Sequence, residues 1–133
     1  MHQVYNADTS TWETLATYSA DEDTGWQTLK TGIRYRKKNG VVTVVVALDT
    51  ADIPTLAGGS WQNLNADAPL PTTARPTIVY PVVAHARKGT GNENDFFQAQ
   101  VNTGGAIQIL VPNSMTVNST NYNMLRLEVS FPV

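Results

Sequence analysis

Residues 33–46 read Ile33-Arg34-Tyr35-Arg36-Lys37-Lys38-Asn39-Gly40-Val41-Val42-Thr43-Val44-Val45-Val46, and this stretch carries the strongest signal of the fold class. In its first half apolar and basic residues alternate up to Asn39-Gly40, and a run of valines follows. Asn-Gly supplies the two positive-φ residues that a type I′ turn requires, so the stretch predicts a β-hairpin. Residues 41–46 are apolar on both faces, which is typical of a strand that is covered on both sides.

The chain beyond this hairpin continues in short β patterns separated by turn residues. Further strands are predicted at residues 77–86, 96–101, 106–111 and 124–131. Gly104-Gly105 permits a tight return between the middle two, and Pro81 indicates an edge position or a bulge. About seven to eight strands at this spacing predict one all-β domain, either an antiparallel, jelly-roll-like β-sandwich or a partly closed barrel.

Two segments depart from the β pattern. Residues 1–24 are predicted to form an N-terminal arm or linker ahead of the β domain at 25–133, with a short helix candidate at residues 12–18. Residues 51–74 are rich in proline and glycine and are predicted to form a loop, with Trp61 and Leu64 as candidate anchors to the core.

Composition narrows the class of protein. The chain has 133 residues, a net charge of −2 and no cysteine, so disulfides, thiolate metal sites and a cysteine nucleophile are excluded. Its one tight basic cluster, residues 34–38, is smaller than the basic stripe of a nucleic-acid binder. The sequence has neither a run of about 18 apolar residues nor the pattern of a signal peptide. We therefore expect that the protein is made in a cytoplasm and does not insert into a membrane.

The residues of known catalytic motifs are poorly represented. A Gly-x-Ser-x-Gly elbow is missing, and His2 and His85 lack ligand spacing. The carboxylate pairs Asp49 with Asp52 and Glu93 with Asp95 lie within single loops, and spacing there does not specify facing geometry. The oxygen-rich runs 21–23 and 92–95 do not match an EF-hand loop. Whether either loop binds a metal ion in another way is left as an open question. We therefore expect a protein that is not an enzyme and has no cofactor.

The remaining composition favours binding. An exposed aromatic ring covers the apolar face of a sugar, and nearby polar groups satisfy its hydroxyls. The candidate ligand-binding residues are Trp61, His85, Arg87, Asn94 and Asp95. Two alternatives remain open, since Trp61 could instead be a buried loop anchor and His85 could pack in or beside the sheet.

Several pieces of the sequence together resemble a known family. They are Trp26-Gln27-Thr28-Leu29, Tyr35-Arg36-Lys37-Lys38-Asn39-Gly40-Val41-Val42, Leu70-Pro71 with Arg75-Pro76, Gly104-Gly105-Ala106-Ile107-Gln108-Ile109, and Ser130-Phe131-Pro132-Val133. In this order they resemble the C-terminal receptor-binding head domain of tailed-bacteriophage tail-fibre and receptor-binding proteins, over about residues 25–133. The resemblance implies a β-sandwich head, a homotrimer at a fibre tip, and recognition of bacterial surface saccharides or proteins. The matching pieces are scaffold, so the resemblance assigns no binding residue.

The resemblance and the residues lead to one expected function. The chain is expected to attach a virion, at the phage tail tip, to a host cell-surface saccharide without catalysis, alongside other phage tail proteins. A homotrimer would also supply the second cover that residues 41–46 require. Two alternatives are a purely structural baseplate or fibre component and a polysaccharide-degrading tailspike domain.

Overall fold

Antiparallel strands form nearly all of the fold, as the sequence predicts. The computed structural model describes residues 3–6, 11–14, 22–90 and 93–133, and side chains within the last two ranges. The strands are β1 (Gln3–Asn6), β2 (Thr11–Thr14), β3 (Gln27–Lys30), β4 (Ile33–Lys38), β5 (Val41–Asp49), β6 (Leu56–Ala57), β7 (Ser60–Asn63), β8 (Tyr80–Lys88), β9 (Asn94–Val101), β10 (Ile107–Val111), β11 (Thr116–Val117) and β12 (Tyr122–Pro132). Short 3-10 turns lie at Thr50–Asp52 and Thr72–Ala74.

Eight of these strands form one curled sheet, a half-barrel, in the order β3-β4-β5-β12-β8-β9-β10-β7. β6 pairs with β11 in a small second sheet, and β1 pairs with β2. The curl arises at β12, which pairs with β5 from Met124 to Pro132 but with β8 only between Tyr122 and Arg126. Beyond that point the two halves diverge, and the rings of Tyr80 and Phe131 pack across the opening with centroids 5.7 Å apart. Pro81 lies in the part of β8 that diverges from β12, as expected for an edge-like position.

The two predicted hairpins are confirmed. Asn39 and Gly40 have φ values of 53° and 76°, and Lys38 pairs with Val41, so the turn has the two positive-φ residues of type I′. The β9–β10 hairpin turns at Gly105, whose φ is 85° and whose carbonyl accepts a hydrogen bond from the Leu70 N–H at 3.1 Å. Both turns place strands in register without a bulky residue in the left-handed region.

The core lies on the concave side of the curled sheet. Its largest fully buried side chains are Phe131, Ile33, Leu70, Ile107, Ile109, Leu125, Val42, Val44, Val46, Val101, Val111 and Val117. β5 contributes alternate residues, so Val42 is buried whereas Val41 is 43% exposed. Within the single chain β5 is therefore buried on one face, and the cover predicted for its other face stays a prediction.

The structure corrects two predictions about irregular segments. The prediction of a helix at residues 12–18 is wrong for residues 12–14, because they belong to β2. Residues 15–18 lie outside the described ranges. The predicted loop at 51–74 contains β7, which pairs with β10 as the last strand of the large sheet. Leu64 is 3% exposed and anchors the segment, as predicted.

A buried amide attaches this segment to the β9–β10 turn. Asn65 is fully buried; its Nδ2 donates to the carbonyls of Gly105 and Ala68 at 3.0 and 3.1 Å, and its Oδ1 accepts from the Ile107 N–H at 2.7 Å. Three satisfied bonds offset the cost of burying the amide. The chain just after β7 is thereby held against the start of β10.

The end of the predicted arm is joined to the hairpin. Asp23 forms a β-bridge with Lys38, and the Thr24 N–H donates to the Lys37 carbonyl at 2.9 Å. Residues 22–24 therefore pack against the edge of β4.

Candidate functional site

The convex side of β7, β10, β9 and β8 carries an unusual set of exposed side chains, which we call the outer face. Alternate residues of these strands point into the core, and those between them point outward. The outer face consists of Trp61, Asn63, Pro81, Val83, His85, Arg87, Asn94, Phe96, Gln98, Gln100, Gln108 and Leu110. Rings, amides and short apolar groups predominate in it.

Three amides cross the outer face in a row. Gln100 Nε2 donates to Gln108 Oε1 at 2.8 Å, and Gln108 Nε2 donates to Asn63 Oδ1 at 2.7 Å. The three residues are cross-strand neighbours on β9, β10 and β7, so the row follows from register. Each primary amide has two donors and an acceptor, so the row keeps hydrogen-bonding capacity for a further partner.

Two shallow depressions of about 410 Å³ each lie on the outer face and share Gln98. Trp61 lines the first, together with Pro81, Val83 and Gln100. Phe96 lines the second, together with Leu110, Pro112 and Asn113. Each depression therefore combines an exposed aromatic ring with at least one amide beside Gln98; the buried Phe97 also lines the second.

A stacked pair borders the second depression. The His85 imidazole lies parallel to the Phe96 ring, with centroids 5.0 Å and planes 15° apart, and Phe96 is 69% exposed. His85 Nε2 lies 2.8 Å from Asn94 Oδ1. Arg87 Nε donates to Asn123 Oδ1 at 3.1 Å. His85 is therefore held by the Phe96 ring on one side and by Asn94 on the other, and it supports the exposed Phe96 ring.

The structure brings four of the five predicted site residues to the outer face. Trp61 is 37% exposed there, so its interpretation as a buried loop anchor is wrong. His85, Arg87 and Asn94 are neighbours across β8 and β9. Trp61 lies three strands from His85, a separation of about 15 Å at ordinary strand spacing. The four residues share a face but do not form one cluster.

Asp95 lies on the opposite side of β9 from the outer face. The Tyr122 hydroxyl donates to its Oδ2 at 2.7 Å, and Tyr122 is 3% exposed. Burial, and then the hydrogen bond to Asp95, raise the pKa of Tyr122 well above its usual range. The Asp95 carboxylate thus satisfies a buried hydroxyl, and the structure does not bring it to the other predicted residues.

Sequence reasoning missed the residues at the centre of the outer face. Phe96, Gln98 and Gln100 are spaced by two along β9, and Gln108 and Leu110 along β10. Their apolar alternates, such as Phe97 and Ile109, are buried. This period-two pattern was a usable signal, because it places every second residue of a half-buried strand outward.

The acidic residues mostly pair with cations. Asp49 contacts Arg126 at 2.7 Å, and Glu93 contacts Lys88 at 3.2 Å. Within residues 22–90 and 93–133, three or more histidine or acidic side chains nowhere gather closely enough to hold a metal ion. Asp21 and Asn92, parts of the oxygen-rich runs, lie outside the described residues.

Comparison with known proteins adds no relative. No family model matches the chain, and no curated protein matches it in sequence. Over the described residues, no helix has the length and apolar character needed to cross a membrane.

Proposed function

We propose that the chain is the receptor-binding head of a tailed-phage fibre, which attaches the virion to a host-surface saccharide without catalysis. Residues 25–133 resemble such heads in sequence, and the all-β fold fits that resemblance. The main support for saccharide binding is the pair of depressions that share Gln98, each of which combines an aromatic ring with amides.

The chemistry of the depressions suits neutral sugar rings. An indole or phenyl ring covers the apolar face of a pyranose, and primary amides both donate to and accept from hydroxyls. The residues that line the two depressions include no charged side chain. Two strand spacings and one two-residue step separate Trp61 from Phe96, a distance on the order of 12 Å. This span suits a linear oligosaccharide that contacts both rings.

Shallow sites bind weakly, so attachment needs several copies. A homotrimer gives three sites on one particle, and avidity then multiplies weak individual affinities. The surface that favours subunit contact lies just before β8, where Ile78 and Val79 are 65% and 47% exposed. The outward side of β5, where the valine run predicted the subunit contact, is less suited, since its neighbours Arg34 and Arg36 on β4 are charged, and the proposal therefore places the contact elsewhere.

Binding of the whole chain to host cells and to an array of neutral and acidic oligosaccharides tests the proposal. We expect saturable binding to cells and to a restricted set of neutral oligosaccharides, without release of reducing ends. Binding only to other tail proteins would replace the proposal with a structural fibre component. Release of reducing sugar from host polysaccharide would replace it with a depolymerase.

A further inference from the structure

A third depression lies on the other half of the sheet, over the convex side of β4, β5 and β12. Its volume is about 500 Å³. We call it the basic groove; its lining residues are Trp26, Arg36, Lys38, Asn39, Val41, Thr43 and Glu128. Arg36 and Lys38 belong to the basic cluster of the sequence, which the proposed function leaves without a role.

Strand alternation explains why the cations gather there. Ile33 is 1% exposed and points into the core, so the residues that alternate with it, Arg34, Arg36 and Lys38, point outward. Thr43 faces the same way, because it is the cross-strand partner of Arg36. Three cations at every second position therefore share one face of β4.

Trp26 forms one side of the groove. It is 45% exposed, and the guanidinium carbon of Arg34 lies 4.9 Å from the centroid of its ring. A cation at this distance is attracted to the face of the ring, which restrains the indole. Arg34 occupies one face of the ring, and the exposed remainder is available to a ligand.

The charges in and beside the groove do not cancel. Arg36 donates to both Asp23 oxygens, Nε to Oδ1 at 2.9 Å and Nη2 to Oδ2 at 2.5 Å. This pair is internally neutral and holds the Arg36 side chain in place. Among the described residues, Arg34 and Lys38 make no ion pair, although the Asp23 carboxylate also attracts Lys38 at longer range. Three cations, Arg34, Arg36 and Lys38, therefore face two acids, Asp23 and Glu128. One positive charge is left over.

We propose that the basic groove binds an acidic sugar, one that carries a carboxylate or a phosphate. The sugar ring packs on the exposed part of Trp26, and its anionic group lies beside Lys38 and the fixed Arg36. The Glu128 carboxylate accepts hydrogen bonds from the hydroxyls of the sugar, and the Thr43 hydroxyl donates to them or accepts from them. The groove thereby differs from the outer face, whose depressions lack cations, and the inference extends the proposed function to a second saccharide class.

The indole N–H signals of the ¹⁵N-labelled chain separate this site from the outer face, because Trp26 and Trp61 report on different surfaces. The probes are trigalacturonic acid and glucose 6-phosphate, with maltotriose and inorganic phosphate as controls. We expect both acidic sugars to shift the Trp26 signal saturably, and both controls to leave it in place. Failure of the proposed function would appear separately, as the absence of any neutral oligosaccharide of the array that shifts the Trp61 signal.

Substitution of the unpaired lysine tests the role of charge. Lys38→Gln should weaken acidic-sugar binding about tenfold, and the matched variant Lys30→Gln, which removes a lysine paired with Asp67, should not. Trp26→Leu, measured by titration calorimetry because the variant lacks the reporting indole, should weaken binding of both acidic sugars. The inference would be overturned if neither acidic sugar shifted the Trp26 signal. It would also be overturned if maltotriose or inorganic phosphate shifted that signal as much as the acidic sugars do. Equal affinity of Lys38→Gln and the unchanged chain would do the same.

Discussion

The imidazole of His85 stacks on the ring of Phe96, with 5.0 Å between centroids, while Phe96 remains 69% exposed. An exposed phenyl ring on a strand is ordinarily free to change rotamer, but the stacked imidazole restrains this one. Restraint before binding lowers the conformational entropy lost on binding. The pair therefore presents a fixed aromatic surface beside Gln98.

Asp95 is expected to affect stability and not binding. Asp95→Ala leaves the buried Tyr122 hydroxyl without its acceptor, so we expect the free energy of unfolding to fall by about 1–3 kcal/mol. Urea unfolding measures the change, and saccharide binding should stay the same. Tyr122→Phe removes the other partner and should also destabilise. Weakened binding with unchanged stability would return Asp95 to the site.

The two glycines of the β9–β10 turn are expected to respond differently to alanine. Gly105 has a φ of 85°, and a Cβ there would lie 2.8 Å from the Leu70 carbonyl oxygen. Gly105→Ala should therefore lower the free energy of unfolding by about 1 kcal/mol or more. Gly104 is the matched control, because its Cβ would meet only the Asn102 side chain, at 3.4 Å. Equal melting temperatures for both variants would contradict this account of the turn.

Asp23 is expected to make stability depend on pH in the acid range. Its hydrogen bonds from Arg36, and then from the Gly25 N–H, hold the pKa of the Asp23 carboxyl far below its usual range. The native state therefore binds fewer protons than the unfolded chain, so this stabilisation is complete above about pH 4 and falls as the pH drops below it. Unfolding of the unchanged chain and of Asp23→Asn should differ at neutral pH and converge in acid. A difference that does not vary with pH would exclude this role.

Self-association is expected through the two exposed apolar residues just before β8, Ile78 and Val79. Sedimentation of the unchanged chain should give a trimer, and the double variant Ile78→Ser with Val79→Ser should give a monomer, because these are exposed apolar residues outside the depressions. Val41→Ser, at a comparably exposed valine of β5, is the control and should remain trimeric. A stable monomer of the unchanged chain at micromolar concentration would contradict the homotrimer.

Local features of the fold could be predicted from the sequence. Asn39-Gly40 and Gly104-Gly105 encode backbone angles directly, and both hairpins form where these dipeptides stand. The short strand β7 was missed, because Ser60–Asn63 becomes a strand only by pairing with β10. Propensity in so short a segment is weaker than tertiary context.

The candidate site could be predicted in part. Trp61 and His85 were identified by residue type, which does not specify the face of the sheet. Assigning Asp95 to the site neglected alternation, since Asp95 and its neighbour Asn94 point to opposite faces. The sharing of Gln98 by two depressions depends on the order of β7, β10, β9 and β8, and no local pattern encodes that order.

Saccharide binding by three matched variants shows whether the outer face is the receptor site. Dissociation constants would be measured on the oligosaccharide array for the unchanged chain, Trp61→Ala, Gln98→Ala and the exposed control Gln27→Ala. We predict that Trp61→Ala and Gln98→Ala each weaken binding about tenfold, while Gln27→Ala has no effect. Unchanged affinity in both outer-face variants would contradict the account.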